Sequence, residues 1–481
     1  MSDDGLRASV EKMQREGVAD PAIRAFEHYY HQLEAGETGL MPEESIEPVT
    51  DLPALDELPD DPGAQREALR HAVVIRLNGG LGTSMGLSKA KSLLEAKDGL
   101  SFLDVIARQV IALRKRHGAA LPLVLMDSFS TREDSLAALE RYPDLDSGIP
   151  RDFMQNKEPK VRADGDLMPV EWPDNPALEW CPPGHGDIYT ALVTSGLLEQ
   201  LLERGFEHAF IANSDNLGAV LEPRILAWMR SEGFPFLMEV TDRTEADRKG
   251  GHIARRRDNG RLALRETAQT PEADLEKLQD IDRHPYVNTN NLWVDLRALD
   301  AAMRERDCVL GLPMIRNEKT VDPADKSTPA VYQLETAMGA AIEVFEGARA
   351  LAVPRKRFAP VKTTDDLLAL RSDAYRLDGD GLVELAPERE GRVPFVALDS
   401  DHFKLLRDFE DRFPEGPPSL VECDRLVVEG DVRFGAGVVV RGDVTVRQEG
   451  DEPLAIEDGA VLDGDGTDHP ADASGASAQR R

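Results

Sequence analysis

Two lysines, Lys89 and Lys91, follow a glycine-rich run, Leu77-Asn78-Gly79-Gly80-Leu81-Gly82-Thr83-Ser84-Met85-Gly86. A loop of this kind can turn backbone N–H groups toward a phosphate, because no Cβ blocks close approach. The lysines add full positive charge where the phosphates would lie. Farther along, Phe210-Ile-Ala-Asn213-Ser-Asp215-Asn216-Leu-Gly218 puts a carboxylate where an apolar run ends. Asp215 offers the hard oxygen that Mg²⁺ prefers, although the same residues also fit a plain Ser-Asp-Asn turn. A third cation, Lys362, stands in Arg355-Lys-Arg-Phe-Ala-Pro-Val-Lys362-Thr363, just before a helix that Thr363 could cap. A cation and a helix N-terminus both attract phosphate, while a basic run is more often a solvated face. In a chain of net charge −32 such a run is unusual.

Two common phosphate loops do not fit. No Lys follows Gly86 directly, as a P-loop requires. The dinucleotide fingerprint fails at Met85, and the looser Gly80-x-Gly82-x-x-x-Gly86 spacing lacks the acid expected about 20 residues on. A tight turn without a ligand also remains open for this loop. Other polar clusters border apolar runs. Trp180-Cys-Pro-Pro-Gly184-His185-Gly186-Asp187 reads as a stiff loop entering an amphipathic helix. In it His185 could donate to a phosphate, and Asp187 could cap the helix. Lys249-Gly250-Gly251-His252 and Val287-Asn288-Thr289-Asn290-Asn291 suit sugar hydroxyls or turns equally. Gln333-Leu-Glu335 reads as the first turn of a helix whose Met338, Ala341, Ile342 and Phe345 face the core.

The elements that must hold these residues alternate. An apolar run, residues 71–77, leads into the glycine loop as a buried strand would. Ser101 to Asp104 resembles a capping box, opening a helix that Gly118 ends. Further strand-like runs are Leu121–Met126, Ala209–Ala212, Phe236–Val240 and Leu292–Val294. Strands alternating with helices imply a largely parallel sheet covered on both faces, with ligands beyond the carboxyl ends of its strands. Residues 1–70 read as an accessory helical segment, with a Pro- and acid-rich loop from Met41 to Pro62. Residues 71–400 read as one alternating α/β unit, and 401–481 as a C-terminal unit. There, short β-branched runs between Gly-Asp and Gly-Ala suggest parallel β-helix coils, with an antiparallel meander as the rival. The tail from Asp463 reads as disordered.

At 481 residues and 41% hydrophobic content the chain suits a soluble enzyme of two or three domains. No run reaches the length of a membrane span, and the acidic N-terminus lacks signal-peptide character, so a cytoplasmic setting is expected. The charge argues against nucleic acid or an anionic membrane as partner. Cys181, Cys308 and Cys423 are too scattered for a disulfide framework or a metal cluster.

Taken in order, several segments resemble UTP–glucose-1-phosphate uridylyltransferases of the type typical of eukaryotes. They are Leu77–Gly86, Lys91-Ser92, Pro182–Asp187, Asn213–Ala219, Glu239-Val-Thr241, Lys249–Gly251, Asn288–Trp293, Gln333–Ala341 and Val361–Asp366. The resemblance implies an α/β, Rossmann-like nucleotidyltransferase (GT-A-like) fold. Its mixed sheet carries helices on both faces and is followed by a C-terminal left-handed parallel β-helix. It implies that UTP and glucose 1-phosphate react to UDP-glucose and pyrophosphate by in-line attack, with Mg²⁺ as cofactor. A related enzyme acting on a galactose or N-acetylhexosamine 1-phosphate is the alternative.

Carried over by motif, Lys91, Asp215 and Lys362 are catalytic, with Asp215 holding the metal. Gly80, Leu81, Gly82, Thr83, Gly86 and Asn213 bind nucleotide, and Gln155 and Gly184 read uracil. His185, Gly251, Asn290 and Glu335 meet the sugar phosphate. Self-association through the C-terminal unit is a further implication. Where the family usually reads Gly-Pro-Lys-Ser, this chain has Lys89-Ala90-Lys91-Ser92. A proline is lost and a cation gained.

Overall fold

The computed structural model describes residues 2–87, 89–448, 450 and 452–465. At its centre, Ala72–Asn78 is flanked by Leu123–Asp127 and His208–Asn213, both parallel to it, and Asp152–Met154 extends the parallel set beyond Leu123–Asp127. Tyr286–Asp295 then runs antiparallel to His208–Asn213 and also to Phe236–Asp242. The sheet is therefore mixed. Among the described residues it has ten strands, with Arg349–Ala352 pairing parallel to Phe236–Asp242.

Successive side chains of a strand point to opposite faces, and here each face feeds its own core. Val74, Leu125, Phe210 and Trp293 enter one buried cluster. Their neighbours Val73, Ile75, Val124, Ile211 and Leu292 enter another. Strands buried on both sides read as continuous apolar runs, which is why the sequence announces them. The helix Phe102–His117 covers the first face with Phe102, Ile106 and Val110. Ser101 opens it, its hydroxyl accepting from Asp104 N–H at 3.1 Å while the Asp104 carboxylate accepts from Ser101 N–H at 3.0 Å. Gly118 closes it at φ +64°. Ile188–Thr194, Leu197–Glu203 and Leu296–Glu305 cover the second face. The first two are separate helices, since the chain turns at Gly196 (φ +71°).

Three expectations change. The acid-rich stretch after Met41 is not all loop: Ile46–Pro48 adds an antiparallel edge strand to His252–Arg256. A proline is tolerated there because the strand lies at the sheet edge. Residues 330–336 form a strand, Ala330–Thr336, not the start of a helix, and pair with Met314–Thr320. Only a 3₁₀ turn, Met338–Glu343, follows. Glu335 therefore sits on a strand, because pairing and burial outweigh the helical spacing of Met338, Ala341 and Ile342.

Third, Asp463 to Asp465 lie within the strand Val461–Asp465. The remainder of the tail, 466–481, lies outside the described residues.

The C-terminal strands are parallel, not a meander. Phe395–Leu398, Ser419–Glu429, Val439–Arg447 and Val461–Asp465 pair in that order. Their apolar residues, among them Leu426, Val440 and Val444, join the cluster that contains Val74 and Phe210. Among the described residues no helix is long and apolar enough to cross a membrane.

Candidate functional site

The spatial order of the parallel strands is Asp152–Met154, Leu123–Asp127, Ala72–Asn78, His208–Asn213. The chain winds outward one way from Ala72–Asn78 and then crosses to its other side. Such a reversal opens a crevice at the carboxyl ends of the two strands astride it. The glycine loop leaves one of them, at Asn78, and the Asp215 loop leaves the other, at Asn213.

Both loops are tied down. Asn78 Nδ2 donates to Asp127 Oδ1 at 2.6 Å, and the Ser128 hydroxyl donates to Gly79 O at 2.9 Å. Lys91 N–H donates to Gly80 O at 3.1 Å, folding the second lysine back over the loop. Met85 is buried and anchors it, while Gly80, Thr83 and Gly86 face solvent and Leu81 and Gly82 are half-buried. Below the Asp215 loop, buried Arg76 donates to the carbonyls of Asn213 (3.1 Å) and Ala219.

Ala90 holds φ −52° and ψ 130°, within the range of proline. The loop thus keeps the backbone shape that the missing proline would impose. We expect Ala90→Pro to stabilise the protein by about 0.4–1 kcal/mol through a stiffer unfolded chain, read as a higher thermal midpoint. A lower midpoint would show that the loop relies on a freedom proline removes.

Across the crevice, Lys91 Nζ lies 2.8 Å from Asp215 Oδ2. Asp215 Oδ1 is buried and, among the described residues, has no hydrogen-bond partner. An anionic oxygen left unbonded away from water is costly, and a cation arriving there would relieve it. No cluster of three or more metal-ligating side chains exists among the described residues. A cation here would therefore draw its other ligands from phosphate and water, as Mg²⁺ commonly does.

Lys362 joins from a third segment. Val361 N–H donates to Asp215 O at 3.0 Å, so Lys362 is one residue from the Asp215 backbone. Its ammonium is exposed and acts electrostatically on Glu266 and Asp366. Asp366 accepts from the backbone N–H of Lys362 (2.7 Å) and Thr363 (3.0 Å), fixing the turn into the helix Thr364–Arg371.

The Pro182–Asp187 loop lies on the strand that carries Glu335. Thr336 N–H donates to Pro183 O at 3.0 Å. Gly184 has φ +78°, and a Cβ there would stand 2.6 Å from Thr336 O and 3.0 Å from Glu335 Cβ. Only glycine fits. Burial raises the Glu335 carboxyl above the usual carboxylate range, against a hydrogen bond with Asn317.

His185 Nδ1 accepts from Met338 N–H at 3.0 Å, which assigns the ring proton to Nε2. The residue as a whole is exposed. Desolvation of the ring by the surrounding protein lowers its pKa from 6.5 to about 4, a shift that this exposure moderates.

Asp187 is not the side-chain cap expected from the sequence. Its carboxylate instead accepts from Asn156 N–H at 2.6 Å and Asn156 Nδ2 at 2.8 Å, anchoring the turn beside Gln155. Gln155 reaches back to the glycine loop, where a Cβ on Gly79 would meet its Oε1 at 2.6 Å. It also lines a cavity of about 510 Å³ with Phe129, Lys157, Gln200 and the turn after the helix Ser2–Arg15. That cavity is not lined by Lys91, Asp215 or Lys362.

On the far side, Asn290 takes φ +57° at an irregularity in the pairing of Tyr286–Asp295. Its N–H donates to Asn288 Oδ1 at 2.9 Å, and its Oδ1 accepts from Asn288 Nδ2 at 2.8 Å. Asn288 N–H in turn donates to Gly251 O at 2.9 Å.

Sequence reasoning missed Glu266, whose carboxylate lies where a Gly251 Cβ would meet it at 2.4 Å. Burial raises its pKa and Lys362 lowers it. No local motif marks this residue. Glu239 did leave a signal, as a lone carboxylate inside the apolar run Phe236–Val240. It is fully buried and bidentate to Arg357, at 2.7 and 2.6 Å.

The family model described as UTP–glucose-1-phosphate uridylyltransferase matches residues 23–441. A protein of that name from Hordeum vulgare is 38% identical over 477 residues, covering 98% of this chain and 97% of its own. One from Saccharomyces cerevisiae is 40% identical, covering 82% and 77%. A crystal structure of a Leishmania major UDP-glucose pyrophosphorylase mutant in complex with UDP-glucose superposes with a TM-score of 0.91. It is 48% identical and covers 97% of this chain and 99% of its own. A Trypanosoma brucei structure gives 0.90 at 46% identity, covering 96% and 98%.

Proposed function

The chain belongs to the UTP–glucose-1-phosphate uridylyltransferase family and forms UDP-glucose and pyrophosphate from UTP and glucose 1-phosphate; we propose that it does so by in-line attack of the sugar phosphate on the α-phosphorus of UTP. One observation carries this reading. The Lys91–Asp215 contact of 2.8 Å, with Val361 bonded to the Asp215 backbone at 3.0 Å, sets one cation on the carboxylate and brings the segment bearing Lys362 beside it. Such a site needs no covalent intermediate. It works by aligning two anionic reactants and neutralising the charge that separates them.

The backbone of Gly80, Leu81, Gly82, Thr83 and Gly86 cradles the nucleotide phosphates, with Asn213 at the neighbouring strand end. Lys91 draws the phosphates toward Asp215. Gln155 reads the uracil edge, and Gly184 lets backbone approach the base. A magnesium ion held by Asp215, phosphate oxygens and water would supply further charge neutralisation at the α-phosphate. The partnerless Asp215 Oδ1 supports that assignment.

His185 meets the sugar phosphate as a neutral donor through Nε2–H. Lys362 offsets phosphate charge from the opposite wall. Gly251, Asn290 and Glu335 line the hexose side. Their parallel pairing supports reading the C-terminal strands as coils of a left-handed β-helix.

The test is initial-rate pyrophosphate release over several nucleoside triphosphates and sugar 1-phosphates with Mg²⁺. UTP with glucose 1-phosphate is expected to lead. A faster partner sugar would reassign the hexose side.

His185 also carries a pH prediction. Its folded pKa of about 4 lies below the unfolded value of 6.5. The unfolded chain therefore binds more protons between those values. The stability this residue contributes is complete above pH 6.5 and is lost as pH falls toward about 4. Thermal midpoints measured from pH 7 to 4 should fall more steeply in the unaltered protein than in His185→Gln. Parallel curves would remove His185 from this balance.

A further inference from the structure

We propose that Asn216 is a positioning residue for this reaction: its buried amide fixes the segment bearing Lys362 against the loop bearing Asp215. The proposal rests on the roles given above to those two side chains.

Asn216 is 1% exposed. Its Oδ1 accepts from Gly218 N–H at 3.2 Å and from Ala359 N–H at 3.0 Å. Its Nδ2 donates to Arg357 O at 3.1 Å and to Asn291 Oδ1 at 3.3 Å. A carboxamide has two donors and one acceptor oxygen with two lone pairs, so every position is used. Arg357 and Ala359 both belong to the stretch that ends at Lys362. Beyond the amide, backbone completes the seam. Val361 N–H donates to Asp215 O at 3.0 Å. The two chains nearly touch, since a Cβ on Gly218 would stand 2.3 Å from Lys356 O.

The other side of the stretch is held equally. The Arg357 guanidinium is bidentate to Glu239, which also accepts from Trp293 Nε1 at 2.9 Å and Asn291 Nδ2 at 3.0 Å. Asn291 donates to Arg357 O at 3.3 Å as well. Asn216 and Asn291 thus clasp one carbonyl, and the Glu239 pair blocks retreat of that residue. A reaction driven by alignment loses rate steeply when a cation shifts by about 1 Å. While these bonds persist, the backbone that carries Lys362 cannot shift so far.

Two variants test this. Asn216→Ala removes the clasp. Asn216→Asp keeps both contacts to Oδ1 but turns an acceptor toward Arg357 O. We expect Asn216→Ala to lower kcat by about 10–100-fold, with KM for UTP changed by less than about 3-fold, because Gln155 and the glycine loop are untouched.

Asn216→Asp should lower kcat as well, since it loses the donor to Arg357 O. Hydrogen exchange at the Val361 amide should accelerate in Asn216→Ala. An unchanged kcat in Asn216→Ala or unchanged exchange at Val361 would each overturn the proposal. Should the unaltered protein fail to join UTP and glucose 1-phosphate, the functional reading falls. Val361 exchange would still decide whether Asn216 holds the two segments together.

Discussion

Asp215→Asn should lower turnover by about 10²–10³-fold, the range seen when one preorganised electrostatic contact at a reacting centre is lost. The exchange keeps the side chain's shape and removes its charge. Lys91 then faces a neutral amide at the 2.8 Å contact, and the partnerless Oδ1 position is no longer anionic. Both changes weaken neutralisation at the α-phosphate. The fold has little reason to change, because the loop is held by backbone bonds such as Val361 N–H to Asp215 O. Pyrophosphate release and a thermal melt on one preparation check both halves. The magnesium concentration for half-maximal rate should rise as well. Wild-type turnover in a folded variant would take Asp215 out of the mechanism.

Lys362→Ala should cost a similar factor while leaving the melt unchanged. The ammonium is exposed and its structural work is done by backbone: the Lys362 N–H bond to Asp366 at 2.7 Å survives the substitution. What disappears is a positive charge beside the crevice. Glu266 offers a second readout. Burial raises its pKa and Lys362 opposes that rise, so removing Lys362 pushes the carboxyl further up. Any acid limb that Glu266 contributes to the rate profile then moves to higher pH. Lys362→Arg should rescue only in part, since a guanidinium fork is not a compact ammonium. A double variant with Asp215→Asn should lose less than the product of the single losses, because the two act on one charge. Full multiplication would mean that they work independently.

Much of this was legible in the chain. The strand before the glycine loop is apolar on both faces, so it had to be central. A central strand followed by glycines places them at the crevice mouth. Asp215 follows from the same logic. That it meets Lys91 needs only neighbouring strand ends, which the alternation of strands and helices supplies.

Glu335 was misplaced because Met338, Ala341 and Ile342 carry a helical spacing, while the pairing of Ala330–Thr336 with Met314–Thr320 is invisible locally. Ile46–Pro48 hid in an acid- and proline-rich stretch and is a strand only because His252–Arg256 offers it an edge. Asp187 looked like a cap because position was all the sequence showed. Its bond to Asn156 spans 31 residues. The Glu239–Arg357 pair spans 118 residues, beyond the reach of any periodicity.

The cluster that unites Val74 and Phe210 with Leu426 and Val440 also bears on the order of assembly. A nascent chain emerges N-terminal end first. That continuous core is therefore complete only once more than four hundred residues have been made and the C-terminal strands have joined it.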